Sequence, residues 1–510
     1  MALARAYAVG LVGLDGHLVE VEADLAQGLP GLTVIGLPDA ALAEARDRVR
    51  AAIVNSGQQW PQKRITLALS PAALPKRGSG FDVALAAAVL AASGAVPAQA
   101  LLGRVLVGEL GLDGRVRPVR GVLPSVLTAL RAGVERVVVP LANLAEARLL
   151  PGVSARGIGS LRDLVALLTG QDYDETPPAV VLERAGLLAP ALDLRDVAGQ
   201  VEGRTAVEVA AAGGHHLLLL GPPGSGKTML AERLPGILPP LCLSEALEVT
   251  AVHSVAGTLP ADQPLVSRAP FQDPHHTATV ASVVGGGSGV ARPGAASLAH
   301  RGVLFLDEAP EFAAGVLDAL RQPLESGRLS ITRVGGTAVY PAAFQLLLAA
   351  NYCPCAQPEQ CACPPDVRRR YLARLSGPLL DRVDMHVEVP RITKAELLAD
   401  QGPGQSSACV AARVVAAREA AAVRYAGTPW RTNGQVPAVE LRRRWPVGRS
   451  AARTAEQALD RGLLTARGYG RVLRLAWTLA DLQGCAGPGP EHVSHALGFR
   501  LGIAHSLVAR

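Results

Sequence analysis

Aromatic residues make up only 3% of this 510-residue chain, so its cores must be closed by aliphatic side chains. Abundant Ala, Leu, Val and Gly suit close packing, and the alanine favours helices. Long apolar runs are also scarce. The best, Val83 to Val96, is short and alanine-rich, below the roughly 18 residues a membrane-crossing helix needs. The opening Met1-Ala-Leu-Ala-Arg-Ala-Tyr7 has no charged head before an apolar core, so no secretory leader is expected. Seven cysteines, an odd number with four bunched at Cys353, Cys355, Cys361 and Cys363, are not a secreted disulfide framework. These absences lead us to expect a soluble cytoplasmic protein with no membrane partner. Its length calls for about three domains.

The net charge of +6 is unevenly spread. From Gln405 to Arg510 there are 15 Arg against 6 Asp and Glu, so the basic surplus is entirely C-terminal. Such a surface suits a polyanion, with a basic solvated helical face as the alternative.

One segment carries most of the chemistry. The run His216 to Leu220 reads as a buried parallel strand, followed by Gly221, Pro222, Pro223, Gly224, Ser225, Gly226, Lys227 and Thr228 and then an amphipathic helix start. This spacing makes a phosphate-binding loop: glycines let backbone N–H groups turn inward at a helix N-terminus. Lys227 supplies charge to the β- and γ-phosphates of ATP, and Thr228 a hydroxyl ligand for Mg²⁺. Downstream, Arg301 to Glu308 reads as a second buried strand ending in two acids. Asp307 would stand by Mg²⁺, and Glu308 would polarise an attacking water. A third strand, Gln345 to Ala350, ends in Asn351, a side chain able to orient water and γ-phosphate at the carboxyl edge where doubly wound sheets bind ligands.

Along the chain, apolar runs at Leu18–Val21, Ile65–Leu69, Val105–Val107 and Val137–Val139 alternate with helical patterns such as Ser79–Ser93. This indicates a first α/β domain over 1–170. A polar, Pro-paired stretch marks a linker at 171–189. The nucleotide module spans 190–392, and a helical domain spans 405–510.

The four cysteines have the ligand number of a structural Zn²⁺ site, although two Cys-x-Cys pairs five residues apart are tighter than a common zinc ribbon. Free thiols and a redox pair are the alternatives. The cluster immediately follows Asn351, so a metal there would brace the third strand's end.

Beyond the phosphate loop, the chain contains Asp273-Pro-His-His-Thr277, Gly285-Gly-Gly287, Arg292-Pro-Gly-Ala-Ala-Ser-Leu-Ala-His300, Gly302-Val-Leu-Phe-Leu-Asp-Glu-Ala-Pro-Glu-Phe312, Leu320-Arg-Gln-Pro-Leu-Glu-Ser-Gly327 and Leu375-Ser-Gly-Pro-Leu-Leu-Asp-Arg382. With these motifs it resembles, over essentially its full length, the ComM/YifB branch of the magnesium-chelatase-like AAA+ ATPases. The resemblance implies an AAA+ P-loop module with a doubly wound parallel sheet, preceded by a Lon-protease-like α/β domain and followed by a helical domain. It further implies a homo-oligomeric ring, usually a hexamer, with nucleotide between neighbours. Arg382 falls at the family's arginine-finger position, with Arg374 as a second candidate. Arg467 matches the second-sensor arginine that reaches ATP from the helical domain. Arginine suits both tasks because its planar, always-charged fork bridges phosphate oxygens.

The Lon-like domain would carry a Ser/Lys dyad, and the matching segments lack it. Gly80 or Phe81 stands at the serine position with Ser79 one residue off, and Leu123 stands where the lysine amine belongs. The family pattern also differs at Asn351-Tyr-Cys-Pro-Cys-Ala356, where Asn-Pro-Cys-Pro-Cys-Gly is usual, and at Phe271-Gln-Asp-Pro-His-His276, where an arginine usually precedes the proline. His275 and His276 would face a ring pore or DNA, or form a satisfied loop pair; as neighbours they are expected to point apart. The resemblance implies a DNA helicase acting by branch migration in natural transformation. A protein-remodelling ring and a chelatase-type motor for metal insertion into a tetrapyrrole are the alternatives.

Overall fold

The computed structural model describes all residues except 1, 37–39, 73–75, 77, 177–191, 261–262, 288–290, 334–335, 356–360, 395–404 and 509–510. The larger part of the expected linker and the lead-in to the helical tail lie outside the described residues.

The four N-terminal apolar runs all become strands of one seven-stranded mixed sheet, in the order Gly31–Ile35, Arg64–Ser70, Asp15–Ala26, Ala2–Val12, Arg104–Leu106, Arg136–Pro140, Ser154–Ile158. Its centre is a long antiparallel hairpin, Ala2–Val12 with Asp15–Ala26, and the last three strands continue parallel. The alanine-rich pattern forms helix Asp82–Ser93, with all residues but the last buried. Small side chains let it pack closely between the sheet and helix Ala40–Asn55, which compensates for the missing aromatics. The described start of the expected linker docks on this lobe: Glu175 accepts from the Gly157 amide at 2.7 Å and pairs with Arg156 at 3.3 Å.

The second sheet is wholly parallel: Phe271–Gln272, Val303–Leu306, Gln345–Ala350, Leu217–Leu220, Met385–Glu388. Its three central strands are continuous apolar runs buried on both faces, as expected where helices cover both sides. Alternate residues feed different cores. Leu217, Leu219, Val303, Phe305, Leu347 and Ala349 join the C-terminal helices, whereas Leu218, Leu220, Leu304, Leu306, Leu346 and Leu348 join the short helices of the opposite layer. The C-terminal helices are therefore one of the two layers covering the ATPase sheet.

That layer is tied down by polar groups as well. Thr478 meets His215 at 2.7 Å and accepts from the Asn433 amide at 3.0 Å, and Asn433 also donates to Asp481 at 2.9 Å. Three of the chain's four tryptophans, Trp430, Trp445 and Trp477, sit here. Trp445 meets Tyr425 and Trp430 edge-on, and the Arg424 guanidinium lies 4.1 Å from the Trp477 ring centre.

The two sheets meet through the antiparallel hairpin Arg328–Arg333/Gly336–Pro341. Its Ile331, Ala338 and Tyr340 pack on Leu14 and Val255. Helix Val122–Arg131 packs beside helix Leu243–Ala256, where the Gly121 amide donates to the Ser254 carbonyl at 3.2 Å and Ser254 donates to buried Glu146.

Candidate nucleotide site and its second half

Three adjacent strands end at one place. Beyond Leu217–Leu220, Gly224 and Gly226 adopt left-handed φ of 72° and 92°, and Gly226 caps helix Lys227–Ile237. A Cβ at either would meet nothing within 4 Å, so the loop borders open space of the kind a phosphate group needs. Gly221 is required sterically: a Cβ there would stand 2.1 Å from the Val389 carbonyl. Lys227 is buried and donates to the carbonyls of Gly221 at 2.9 Å and Pro222 at 2.8 Å, and to Asn351 Oδ1 at 3.1 Å. Burial draws its ammonium below the usual lysine value, opposed by Asp307 and Glu308. Thr228 Oγ1 donates to Asp307 Oδ2 at 2.7 Å. Glu308 takes a left-handed φ of 49°, and its amide donates to Asp307 Oδ1 at 2.8 Å. Lysine, hydroxyl, acids and amide thus converge, and the hydroxyl–carboxylate pair is the oxygen donor set a hard divalent cation takes.

Gln200 belongs to this neighbourhood and was missed in the sequence. It holds a left-handed φ of 48° before helix Val201–Gly213, and its amide donates to the carbonyls of Ser225, at 3.0 Å, and Pro390. It thereby staples the phosphate loop to the chain beyond the edge strand Met385–Glu388. The only sequence signal was a Gly-Gln pair just ahead of a helix.

The expected arginines stand elsewhere. Arg382 donates to the Pro378 carbonyl at 2.6 Å and pairs with Glu325. Arg467 pairs with Asp381 at 3.2 Å. Both line a cleft of about 210 Å³ with Arg471, Arg474, His216 and Asp384. This cleft adjoins the amino end of strand Leu217–Leu220: the Asp384 and Met385 amides donate to the His216 carbonyl, and Asp384 accepts from the His216 amide at 3.1 Å. A four-residue strand, roughly 13 Å, separates this edge from the phosphate loop. Arg467, expected to reach ATP from the helical domain, therefore lies at the edge opposite its own loop, because helix Ala466–Leu482 packs under the sheet. Burial would raise the Asp384 carboxyl, but neighbouring Arg471 and His215 hold it well below the carboxylate range. The buried Nε atoms of Arg382, Arg471 and Arg474 have no hydrogen-bond partner. Arg374 is at neither position; it donates to the Pro310 carbonyl and Glu311, both at 3.1 Å, bracing the segment after Glu308.

The four cysteines come together, their sulfurs all within 4.8 Å of one another. Three of the separations, Cys353–Cys355, Cys355–Cys361 and Cys353–Cys361, are 3.4, 3.5 and 3.4 Å. Thiolates around Zn²⁺ at about 2.3 Å would stand roughly 3.8 Å apart, so the donor set fits that ion. Burial pushes the Cys353 thiol up to about 12.

The histidine pair departs from expectation. The rings of His275 and His276 lie 4.1 Å apart and tilted by 33°, because the chain turns there instead of running extended. His275 is satisfied locally by Thr277, and His276 Nδ1 faces Glu308 Oε2 at 3.2 Å. In the N-terminal lobe, Phe81 and Leu123 at the positions matching a Lon dyad are buried core residues, while Ser79 donates to Glu109 and Lys76 is buried on the Pro71 carbonyl.

A parallel sheet with a phosphate loop at its carboxyl edge, an acid pair on the neighbouring strand and a packed helical layer defines an ATPase of the AAA+ class. The chain matches the families described as "Magnesium chelatase, subunit ChlI" over residues 193–397, "Subunit ChlI of Mg-chelatase" over 21–143 and "Magnesium chelatase, subunit ChlI C-terminal" over 404–500. It is 54% identical over 510 residues to an uncharacterized protein of Mycobacterium tuberculosis, covering 98% of this chain and 99% of the relative. It is 41% identical over 503 residues to the uncharacterized protein YifB of Escherichia coli (98% and 97%) and 40% over 504 residues to competence protein ComM of Haemophilus influenzae (98% of each). A partial match, 28% over 205 residues, is to Lon protease of Chloroflexus aurantiacus, covering 36% of this chain and 24% of the protease. The chain belongs to the ComM/YifB magnesium-chelatase-like family of AAA+ ATPases.

Proposed function

We propose that this protein is a cytoplasmic, ring-forming ATP-driven motor that acts on DNA, a helicase promoting branch migration in transformation and recombination. The observation that carries the ring is the separation of two complementary half-sites at opposite sheet edges. A loop with lysine and acids at one edge and an arginine cleft at the other can be joined only head to tail between copies, and a head-to-tail contact that closes makes a ring, here six subunits.

In this reading the loop amides and Lys227 bind the β- and γ-phosphates, Thr228 and Asp307 hold Mg²⁺, and Glu308 takes the proton of the attacking water. Asn351 orients that water. Arg382 and Arg467 enter the neighbour's site, where their fixed charge offsets the negative charge that grows on the transferring phosphoryl group. Bound Mg²⁺ supplies positive charge to the phosphate oxygens. The Lon-like lobe, without a dyad, serves assembly or substrate contact.

The DNA reading is supported by the exposed arginines of the C-terminal layer. Arg413, Arg418, Arg424, Arg471 and Arg500 are engaged inside the fold. Arg442, Arg443, Arg444, Arg449, Arg453 and Arg461 are exposed on or next to helices Ala438–Arg444 and Arg449–Asp460. ATP turnover measured with and without single-stranded and forked DNA, at two salt concentrations, tests it. Stimulation that fades with salt is expected; turnover indifferent to every DNA, with no salt-sensitive binding, overturns the helicase reading in favour of protein remodelling.

The cysteine cluster is read as a structural Zn²⁺ site bracing Asn351. Protein purified without chelator should contain about one zinc per chain, and serine at any of the four positions should release it. Zinc-free, reduced, active protein would establish free thiols instead.

A further inference from the structure

The N-terminal lobe gathers arginines at one rim of its sheet. Arg104 and Arg136 open the neighbouring parallel strands Arg104–Leu106 and Arg136–Pro140 and are partners in the register. Arg156 stands on the next strand, Ser154–Ile158, level with Val138, two residues on from Arg136. Side chains alternate between faces along a strand, so all three arginines leave the same one. Further along that face Leu106, Val138 and Ile158 join the core with helix Asp82–Ser93, and the arginines form its amino-end rim.

Counter-charge runs out across this row. Arg156 pairs with Glu175 at 3.3 Å, and Glu175 also holds Arg148 at 3.5 Å. Among the described residues Arg104 and Arg136 make no ion pair. Arg136 donates to the Leu102 carbonyl at 2.8 Å, while the buried Nε of Arg104 has no hydrogen-bond partner. The buried Tyr173 hydroxyl lacks one too, and the Arg156 guanidinium lies 5.4 Å from the centre of its ring. Burial and the like charges of Arg136 and Arg156 draw the Arg104 guanidinium below its usual value, the reverse of what a carboxylate partner produces. A buried donor left unmade is costly, and guanidinium forks side by side suit the planar recognition of an oxyanion. Two unmatched positive charges call for a dianion. Phosphate held by a single ester bond carries close to two negative charges at neutral pH, and a carboxylate only one.

We propose that Arg104, Arg136 and Arg156, with the Tyr173 hydroxyl, form a binding site on the Lon-like lobe for a terminal phosphate, either a monoester or free phosphate. The site lies on the other sheet from the phosphate loop and does not depend on how ATP is hydrolysed.

The test uses the full chain without nucleotide. Fluorescence anisotropy compares a short single strand of DNA ending in a 5′-phosphate with the same strand ending in a 5′-hydroxyl, and Tm is read with and without millimolar inorganic phosphate. The phosphorylated strand should bind roughly tenfold more tightly, the yield of one charge-assisted hydrogen bond. Arg104→Ala combined with Arg136→Ala should erase that preference and leave binding of the hydroxyl-ended strand unchanged. A phosphate-dependent rise in Tm that the double variant loses, without any preference between the strands, assigns the site to free phosphate instead of a DNA end. Arg136→Ala alone removes an exposed side chain with a single backbone contact, so it should fold normally and lose part of either signal even if the double variant is unstable. Signals of equal size in the wild type and both variants, or no signal in either measurement, overturn the site; a phosphate response common to all three then belongs to the phosphate loop.

Discussion

The two edges of the parallel sheet carry opposite chemistry. At the carboxyl edge, Lys227 is held by backbone carbonyls and Asn351, and Asp307 by Thr228 and the Glu308 amide, around glycines that leave space. At the amino edge, four arginines crowd a small cleft with Asp381, Asp384 and Glu325 as partial counter-charges. The first edge has the phosphate loop and Lys227, with Arg374 engaged by Pro310 and Glu311, and among the described residues of the second there is no phosphate-binding loop. Neither is complete, and the strands between them are too stiff and too well buried to bring one to the other within a single chain. In the ring proposed above, catalytic competence is a property of a contact between copies.

The comparison breaks most severely at Arg382. Arg382→Ala should bind ATP yet hydrolyse it on the order of 10³-fold more slowly, since trans arginines contribute about that much in related phosphoryl transfers. Mixing it with Lys227→Ala subunits, themselves weak in ATP binding, should partly restore turnover by joining an intact loop to an intact arginine. Lack of recovery in mixed rings that demonstrably co-assemble would place the arginine in its own site.

Next in size is the buried pair beneath the cleft. Asp384→Asn leaves Arg471 without its partner and should cost about 3 kcal/mol or more in unfolding free energy, read from the urea midpoint. Because this carboxyl is held below its unfolded value, its contribution is present above the ordinary carboxylate range and fades as acid takes the pH down through the lowered value. A midpoint unmoved by Asp384→Asn would mean the amino edge is not built on that pair. At the carboxyl edge, Glu308→Gln should retain ATP and turn it over at least about 100-fold more slowly, the usual share of a general base. The smallest effect concerns neither edge: replacing Arg442, Arg443 and Arg444 together by alanine should reduce the salt slope of DNA binding by up to about three while sparing DNA-free turnover.

What could be read in the sequence follows the same division. The carboxyl edge was legible because its parts are local: the loop is contiguous, and each acid or amide ends an apolar run whose period announces a buried strand. The N-terminal runs likewise became strands, although the length of the first hairpin was not foreseen, since alternating small residues such as Ala4, Ala6 and Ala8 give a weak period-two signal. The amino edge was not legible. Arg467 and Arg382 are 85 residues apart, and only the packing of the C-terminal helices beneath the sheet puts them in one cleft. Gln200 was missed, and the contact of the singled-out His276 with Glu308 was not foreseen, for a related reason: each works through a loop geometry that no spacing announces. The cysteines lay between these cases, legible as a cluster but silent on what they hold.

The tryptophan distribution has a spectroscopic consequence. Three of the four indoles lie in the C-terminal layer and the fourth, Trp60, packs on the N-terminal lobe. Trp477 donates to the Trp445 carbonyl at 3.3 Å and lies under the Arg424 guanidinium, so its emission depends on the packing within that layer. The described strands of the nucleotide sheet contain no indole. Intrinsic fluorescence therefore reports chiefly the packing of the helical layer, without any attached dye and with Trp60 of the N-terminal lobe as the one indole outside it.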